Sequence, residues 1–313
     1  LAWLFQHVSQ RAQAGDTMTV LVTVVIPALN AGETLPACLN ALKSQTYPRD
    51  DYEVILVDGN SSDFTREIGA RFGAKVLLQE GTGRPAARNT GINAASGEWV
   101  VFTDADCFPA RTWLSALVGA AEKAAAAGTC YGGAGKTIGY MSSSPAARYV
   151  DHTGGLDAEK HLSHPRFPCA PTSNLMYRRD VLLEVNGFDE RYHSYAFCEL
   201  HYRLCGLDLG QFVYVPNAVV LHLHRQGWQE YWKQQVGYGR GYAQFMLHHR
   251  DQVRWTVWDE MKSIGQLIKF GVLACMPSKG DEALLRKGNL IKNLAQKVGF
   301  VRTYWSRKER SIW

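Results

Sequence analysis

The apolar run Glu98-Trp99-Val100-Val101-Phe102-Thr103 ends on Asp104-Ala105-Asp106, and this junction restricts the fold more than any other stretch of the chain. A β-branched and aromatic run of this length reads as a buried strand. Carboxylates are rarely buried unless they are paired or bind a metal. Two of them closing a buried strand belong at the rim of a sheet. There, two hard oxygen donors suit Mg²⁺ or Mn²⁺ bridging to a diphosphate. Asp-x-Asp also occurs in ordinary turns, so the surrounding pattern decides its meaning.

That pattern is an alternation. Residues 20–26 form a continuous β-branched run ended by Pro27, as expected of a strand buried on both faces of a parallel sheet. The spacing of Leu35, Leu39 and Leu42 predicts a helix over residues 33–45. Residues 52–57 and 75–79 read as further strands, and 64–72 and 85–95 as further helices. Strands alternating with helices predict a doubly wound α/β sheet. In such sheets ligands bind beyond the carboxyl ends of the strands. Pro27 to Asn30, Asp58 and Asp104 to Asp106 all fall there. A helix is predicted over 111–127. Residues 128–172, rich in Gly, Ser, His and Pro, read as loops and short strands. Short helices follow over 180–186 and 199–205, then a strand pair over 210–223 broken at Pro216-Asn217. Beyond residue 226 the pattern is helical and aromatic.

The 313 residues suffice for an α/β domain with an appendage, and the formal net charge of +5 does not by itself imply nucleic acid. The seven cysteines include no Cys-x-x-Cys pair, which favours reduced thiols and a cytoplasmic setting over disulfides or zinc. No stretch reaches the ~18–20 apolar residues of a spanning helix. Leu1 is not an initiator, so residues 1–17, ahead of Met18, read as an extension without assigned function. The α/β domain is expected over 18–225 and a helical, aromatic and basic extension over 226–313.

Seven motifs stand in one order: Val-Val-Ile-Pro-Ala-Leu-Asn (24–30), Val-Asp-Gly-Asn-Ser-Ser-Asp (57–63), Gly-Arg-Pro-Ala-Ala-Arg-Asn-Thr-Gly (83–91), Thr-Asp-Ala-Asp (103–106), Asn-Leu-Met-Tyr-Arg-Arg (174–179), Gly-Phe-Asp-Glu (187–190) and Val-Val-Leu-His-Leu-His-Arg (219–225). Over about residues 20–225 the chain resembles the family 2 glycosyltransferases. The resemblance implies the GT-A nucleotide-diphospho-sugar transferase fold, a doubly wound mixed sheet, here with a C-terminal helical extension. It also implies an inverting transfer from a nucleotide-sugar, a UDP-sugar first, to a glycan or lipid-linked acceptor hydroxyl in cell-surface polysaccharide synthesis.

By that resemblance Pro27, Leu29, Asn30 and Asp58 hold the nucleobase and ribose; otherwise Asp58 is a turn or helix-capping residue. Arg84 and Arg88, one helical turn apart, meet a phosphate or nucleobase edge, or form a solvated face. Asp104 and Asp106 bind the metal-diphosphate, Asp106 as the direct ligand of Mn²⁺ or Mg²⁺ and Asp104 as a second metal residue that also faces the ribose or sugar. His222 completes the metal shell. On a strand, His222 and His224 should face opposite sides. The family's Glu-Asp pair is missing: Ala196 and Phe197 stand in its place when Arg203 is aligned. Glu199 is then the expected catalytic base, its alternative being an i,i+4 ion pair with Arg203. Asp189 is the fallback.

A sugar-1-phosphate nucleotidyltransferase would carry a glycine-rich basic loop where Pro-Ala-Leu-Asn stands. The missing Glu-Asp keeps a nucleotide-sugar-binding pseudoenzyme in a membrane assembly as the other reading. The stretch Gln234 to Gly241 resembles the region after the catalytic domain of polysaccharide-assembly members. Residues 264–276 and the basic residues of 286–310 fit either a peripheral membrane anchor or helices packed on the catalytic domain.

Overall fold

The structure, a computed structural model, describes residues 21–306. The extension 1–17 and the end of the basic segment lie outside the described residues. In chain order the elements are β1 (Val22–Ala28), α1 (Leu35–Lys43), β2 (Tyr52–Asp58), α2 (Thr65–Arg71), β3 (Lys75–Leu78), α3 (Gly83–Ala94), β4 (Trp99–Phe102), β5 (Cys107–Pro109) and α4 (Trp113–Ala126). Then come β6 (Cys130–Gly139), α5 (Pro145–His152), α6 (Ala158–Leu162), β7 (Leu175–Arg178), α7 (Arg179–Glu184), α8 (Ala196–Cys205) and β8 (Gln211–His222). Three helices close the described chain: α9 (Trp228–His248), α10 (Val257–Cys275) and α11 (Gly280–Tyr304).

The eight strands form one mixed sheet in the order β3-β2-β1-β4-β7-β6-β8-β5. β1 lies parallel to both β2 and β4, with Ala28 opposite Asp58 and Val25 opposite Phe102. β7 turns the direction, running antiparallel to β4 and β6. β1 is covered on both faces, which explains its unbroken β-branched run. Leu35, Leu39, Trp113 and Leu117 from α1 and α4 pack with Val24 and Ile26. Ile92, Leu182, Leu200 and Phe245 from α3, α7, α8 and α9 share the second core with Val25 and Phe102.

Two expectations are corrected. Residues 128–172 contain the ten-residue strand β6 and two short helices. β6 was hidden by its glycines, which serve packing. A Cβ on Gly135 would stand 2.1 Å from the Ala218 carbonyl oxygen, so a side chain there would split β6 from β8. Residues 210–223 are also one strand rather than two. The register against β6 jumps from Val215 to Val219, so Pro216 to Ala218 bulge out and the strand continues. Asn174, 1% exposed, closes the bulge. It donates to the Lys136 and Ala218 carbonyls at 3.0 and 2.8 Å and accepts from Trp113 Nε1 at 2.8 Å.

α9 and α11 cross with their backbones in contact. A Cβ on Gly239 would lie 1.9 Å from the Gln296 carbonyl oxygen. The glycine-rich stretch 237–241 therefore serves helix packing at this position. Among the described residues, no helix is long and apolar enough to cross a membrane.

Candidate active site

The strand ends of β1, β2 and β4 open on one side of the sheet, and two loops there are stitched together. Asn30 sits at φ 50°, a left-handed conformation that asparagine tolerates. Its backbone N–H donates to Ser61 Oγ at 2.8 Å, and its Oδ1 accepts from the Ser62 N–H at 2.9 Å. The Gly32 N–H donates to Asp63 Oδ2 at 2.9 Å, and the Gly59 N–H to the Ala28 carbonyl at 2.7 Å. Asn30 is thus a builder of this ledge. Leu29 projects from it, 62% exposed, with Pro27 half-buried behind.

Asp58 forms the floor of the ledge and is fully buried. Its Oδ2 accepts from the Ser61 N–H at 3.0 Å and lies 3.8 Å from Arg66 Nε. Its Oδ1 is buried without a hydrogen-bond partner. A buried carboxylate oxygen left open costs free energy unless a ligand satisfies it. An N–H of a nucleobase is a fitting donor.

At the end of β4 the chain makes a tight turn, with the Cys107 N–H donating to the Asp104 carbonyl at 3.0 Å. β5 then pairs antiparallel with β8, placing Cys107 opposite His222. This pairing brings His222 Nε2 to 3.5 Å from Asp106 Oδ1. Asp106, His222 and Cys107 each offer a ligand atom within 4.8 Å of the others. Burial pushes the Asp106 carboxyl up; His222 opposes this and Asp104 adds to it. Cys107 is fully buried and its thiol is raised by burial, so it is a poor partner for a hard ion. One carboxylate and one imidazole suit Mn²⁺ or Mg²⁺ that completes its shell from diphosphate oxygens and water.

His222 and His224 do not face opposite sides. β8 stops at His222, and the two Nδ1 atoms meet at 3.0 Å. His224 is buried, which with the neighbouring His222 pushes it down to about 4. Asp104 is outside the ligand cluster. Its Oδ1 is held by Arg88 Nη2 at 2.9 Å. Arg88 is therefore a buried clamp, 6% exposed and 5.8 Å from the centre of the Phe188 ring, and not a solvated helix face. Arg84 is exposed one turn earlier.

Two rim residues had no assigned role in the sequence reading. Arg225 acts electrostatically on Asp106, and Tyr238 of α9 feels Arg84, Asp104 and Arg225 together. Their sequence signals were the position of Arg225 one residue beyond His224 and the place of Tyr238 inside the glycine-rich stretch.

Glu199 lies in the interior. It is fully buried in α8, and Arg203 takes both of its oxygens, Nε to Oε1 at 2.7 Å and Nη2 to Oε2 at 3.0 Å. His249 Nε2 lies 3.7 Å from Oε1. Burial works to raise its carboxyl, but His249 and Arg203 outweigh it and hold the carboxyl below the usual range. A general base needs an open lone pair facing the acceptor. Both Glu199 oxygens are taken by Arg203, the i,i+4 ion pair that stood as the alternative to the catalytic base. Arg203 also donates to the Val185 and Gly187 carbonyls, both at 2.7 Å, and so carries the loop bearing Asp189 and Glu190. Both Asp189 oxygens are engaged by Arg191. Glu190 is exposed, accepts from Asn89 through Oε1 at 2.9 Å, and holds Oε2 beside Gly81.

A model of glycosyl transferase family 2 matches residues 23–185. The glycosyltransferase AglE of Haloferax volcanii is 31% identical over 239 residues, covering 74% of this chain and 76% of its own. A mannosyltransferase of Pyrobaculum calidifontis, solved with GDP-Man and Mn²⁺, superposes with a TM-score of 0.62 at 18% identity, covering 97% of this chain and 95% of its own. Glucosyl-3-phosphoglycerate synthase of Mycobacterium tuberculosis, solved with Mn²⁺, UDP-glucose and phosphoglyceric acid, gives 0.51 at 20% identity, covering 74% and 83%.

Proposed function

The chain belongs to glycosyl transferase family 2 and has the GT-A fold, and from that premise we propose a metal-dependent, inverting transfer from a UDP-sugar to a hydroxyl of a glycan or lipid-linked acceptor, in cell-surface polysaccharide synthesis. The observation that carries this reading is the Asp106–His222 pair past the end of β4, on the same rim as the unpartnered Asp58 Oδ1 at the end of β2. Asp58 accepts an N–H of the base, and Leu29 and Pro27 cover its face. Asp106 and His222 hold the cation; Arg88 orients Asp104 toward the ribose or sugar. Arg84 and Arg225 flank the diphosphate. Mn²⁺ or Mg²⁺, when bound, offsets charge on the departing nucleoside diphosphate. The two solved neighbours named above carry Mn²⁺ with GDP-Man or with UDP-glucose, which supports a divalent cation and leaves UDP as our choice of donor.

We assign proton removal from the acceptor hydroxyl to Glu190, because it is exposed with its Oε2 beside Gly81, while Asp189 and Glu199 are tied to arginines. We also propose peripheral contact with the inner face of the cell membrane, in keeping with the free cysteines and the basic C-terminal residues. The reaction is tested by incubating the full chain with Mn²⁺ and a panel of UDP- and GDP-sugars, reading nucleoside diphosphate release. Release from a UDP-sugar, stimulated by an added acceptor, is the expected result. Release from GDP-sugars alone would overturn the donor assignment.

A further inference from the structure

Helix α10 has no buried residue, although it is 19 residues long. Trp258, Met261, Ile264, Ile268, Val272 and Met276 recur every three or four positions and so share one face. Each is 45–62% exposed. The helix's two acids are both engaged away from this stripe. Asp259 accepts from the Thr256 N–H at 2.9 Å and pairs with Arg166 at 3.7 Å. Glu260 accepts from Trp255 Nε1 at 3.0 Å and pairs with Lys297 of α11. The exposed cations, by contrast, border the stripe. Lys262 and Lys269 stand on one edge, with Lys262 Nζ 5.8 Å from the centre of the Trp258 ring.

The shape of this face selects its occupant. A stripe on one helix of this length measures roughly 28 Å by 10 Å, or roughly 300 Å². A stable protein interface takes about 800 Å² from each partner. A narrow apolar stripe with a tryptophan at one end, lysines along its border and no free acid matches a helix lying in a lipid interface.

We propose that the outer face of α10 is a lipid-contacting surface, its axis in the membrane plane and Lys262 and Lys269 at the level of anionic headgroups. The inference deepens the membrane contact proposed above and rests on it. It also supplies a reason for that contact, since a lipid-linked acceptor is reached only at the bilayer surface.

The test is sedimentation of the full chain with phosphatidylcholine vesicles, with and without phosphatidylglycerol, at low salt. Wild type is expected to sediment with the anionic vesicles. Ile268→Glu, at the centre of the stripe, should lower partition by about tenfold or more. Reversing both lysines (Lys262→Glu with Lys269→Glu) should remove the preference for phosphatidylglycerol. Leu183→Glu, at an exposed apolar position on α7, should sediment as wild type. Unchanged UDP binding with Mn²⁺ shows that each variant is folded. If wild type ignores both vesicles, the membrane contact and the surface assignment both fail. If wild type sediments and Ile268→Glu sediments equally, α10 is excluded while the contact stands. A dimeric wild type that ignores vesicles, with a monomeric Ile268→Glu, would make the face an interface between copies and overturn the proposal.

Discussion

Replacing Glu199 by glutamine separates a positioning carboxylate from a catalytic one. The substitution keeps the shape but removes the charge that receives two Arg203 bonds, at 2.7 and 3.0 Å. The new amide also presents N–H groups to a guanidinium that can only donate. A bond to a charged group contributes about 1.5–3 kcal/mol, and stripping one partner from a buried pair costs about 3–5 kcal/mol. Arg203 keeps 27% of its side chain in solvent, which relieves part of that penalty. A loss of about 2–4 kcal/mol follows, or roughly 3–6 °C in melting temperature for a chain of this size. Thermal and urea melts measure it. Nucleoside diphosphate release, read well below the lower melting point, should fall by no more than about tenfold, through the loop hung from Arg203. An unchanged melting temperature with a loss of ~10²-fold or more would refute the reasoning and restore Glu199 as the base.

Under the proposed assignment of its unpartnered oxygen to a base N–H, Asp58→Asn should weaken UDP binding by about tenfold while leaving free pyrophosphate binding unchanged; equal losses in calorimetry would show that Asp58 acts through the ledge. Arg88→Ala should weaken Mn²⁺-dependent UDP binding by roughly tenfold, since Asp104 loses its clamp; unchanged affinity would show that Asp104 needs none. Burial pushes His201 and His224 down to about 4, His222 adding to the shift of His224, so the unfolded chain binds more protons between about pH 6.5 and 4. Stability should therefore fall as pH drops through that window, by up to about 1.4 kcal/mol per pH unit for each group. Melting curves of wild type and His201→Gln check this, and parallel pH profiles would contradict it.

The parallel half of the sheet was legible because it is the part where burial on both faces writes continuous apolar runs. β1, β2 and β4 and their helices differ from expectation by one or two residues at their ends. At the rim, the positions of Asp58 at the end of β2 and of Asp106 just past β4 were legible, because both close apolar runs. β6 was not legible, because a strand pressed against two neighbours spends its positions on glycine, which also marks loops. The Pro216 bulge misled for a related reason: proline breaks a ladder locally without ending the strand. The meeting of His222 and His224 depends on where β8 stops, which no alternation pattern encodes. Glu199 was ambiguous in the sequence because i,i+4 spacing to Arg203 is common to exposed pairs and buried clamps; burial decides between them, and burial is a property of the fold.

The central claim is that this rim binds a nucleoside diphosphate through a cation held by Asp106. Calorimetric titration of UDP into wild type and Asp106→Asn, each with Mn²⁺ and with EDTA, addresses it most directly. Wild type should bind UDP at least about tenfold more tightly with Mn²⁺, and the asparagine variant should show no such difference at an unaltered melting temperature. Equal wild-type affinity with and without metal, or a metal effect that survives Asp106→Asn, would contradict the account.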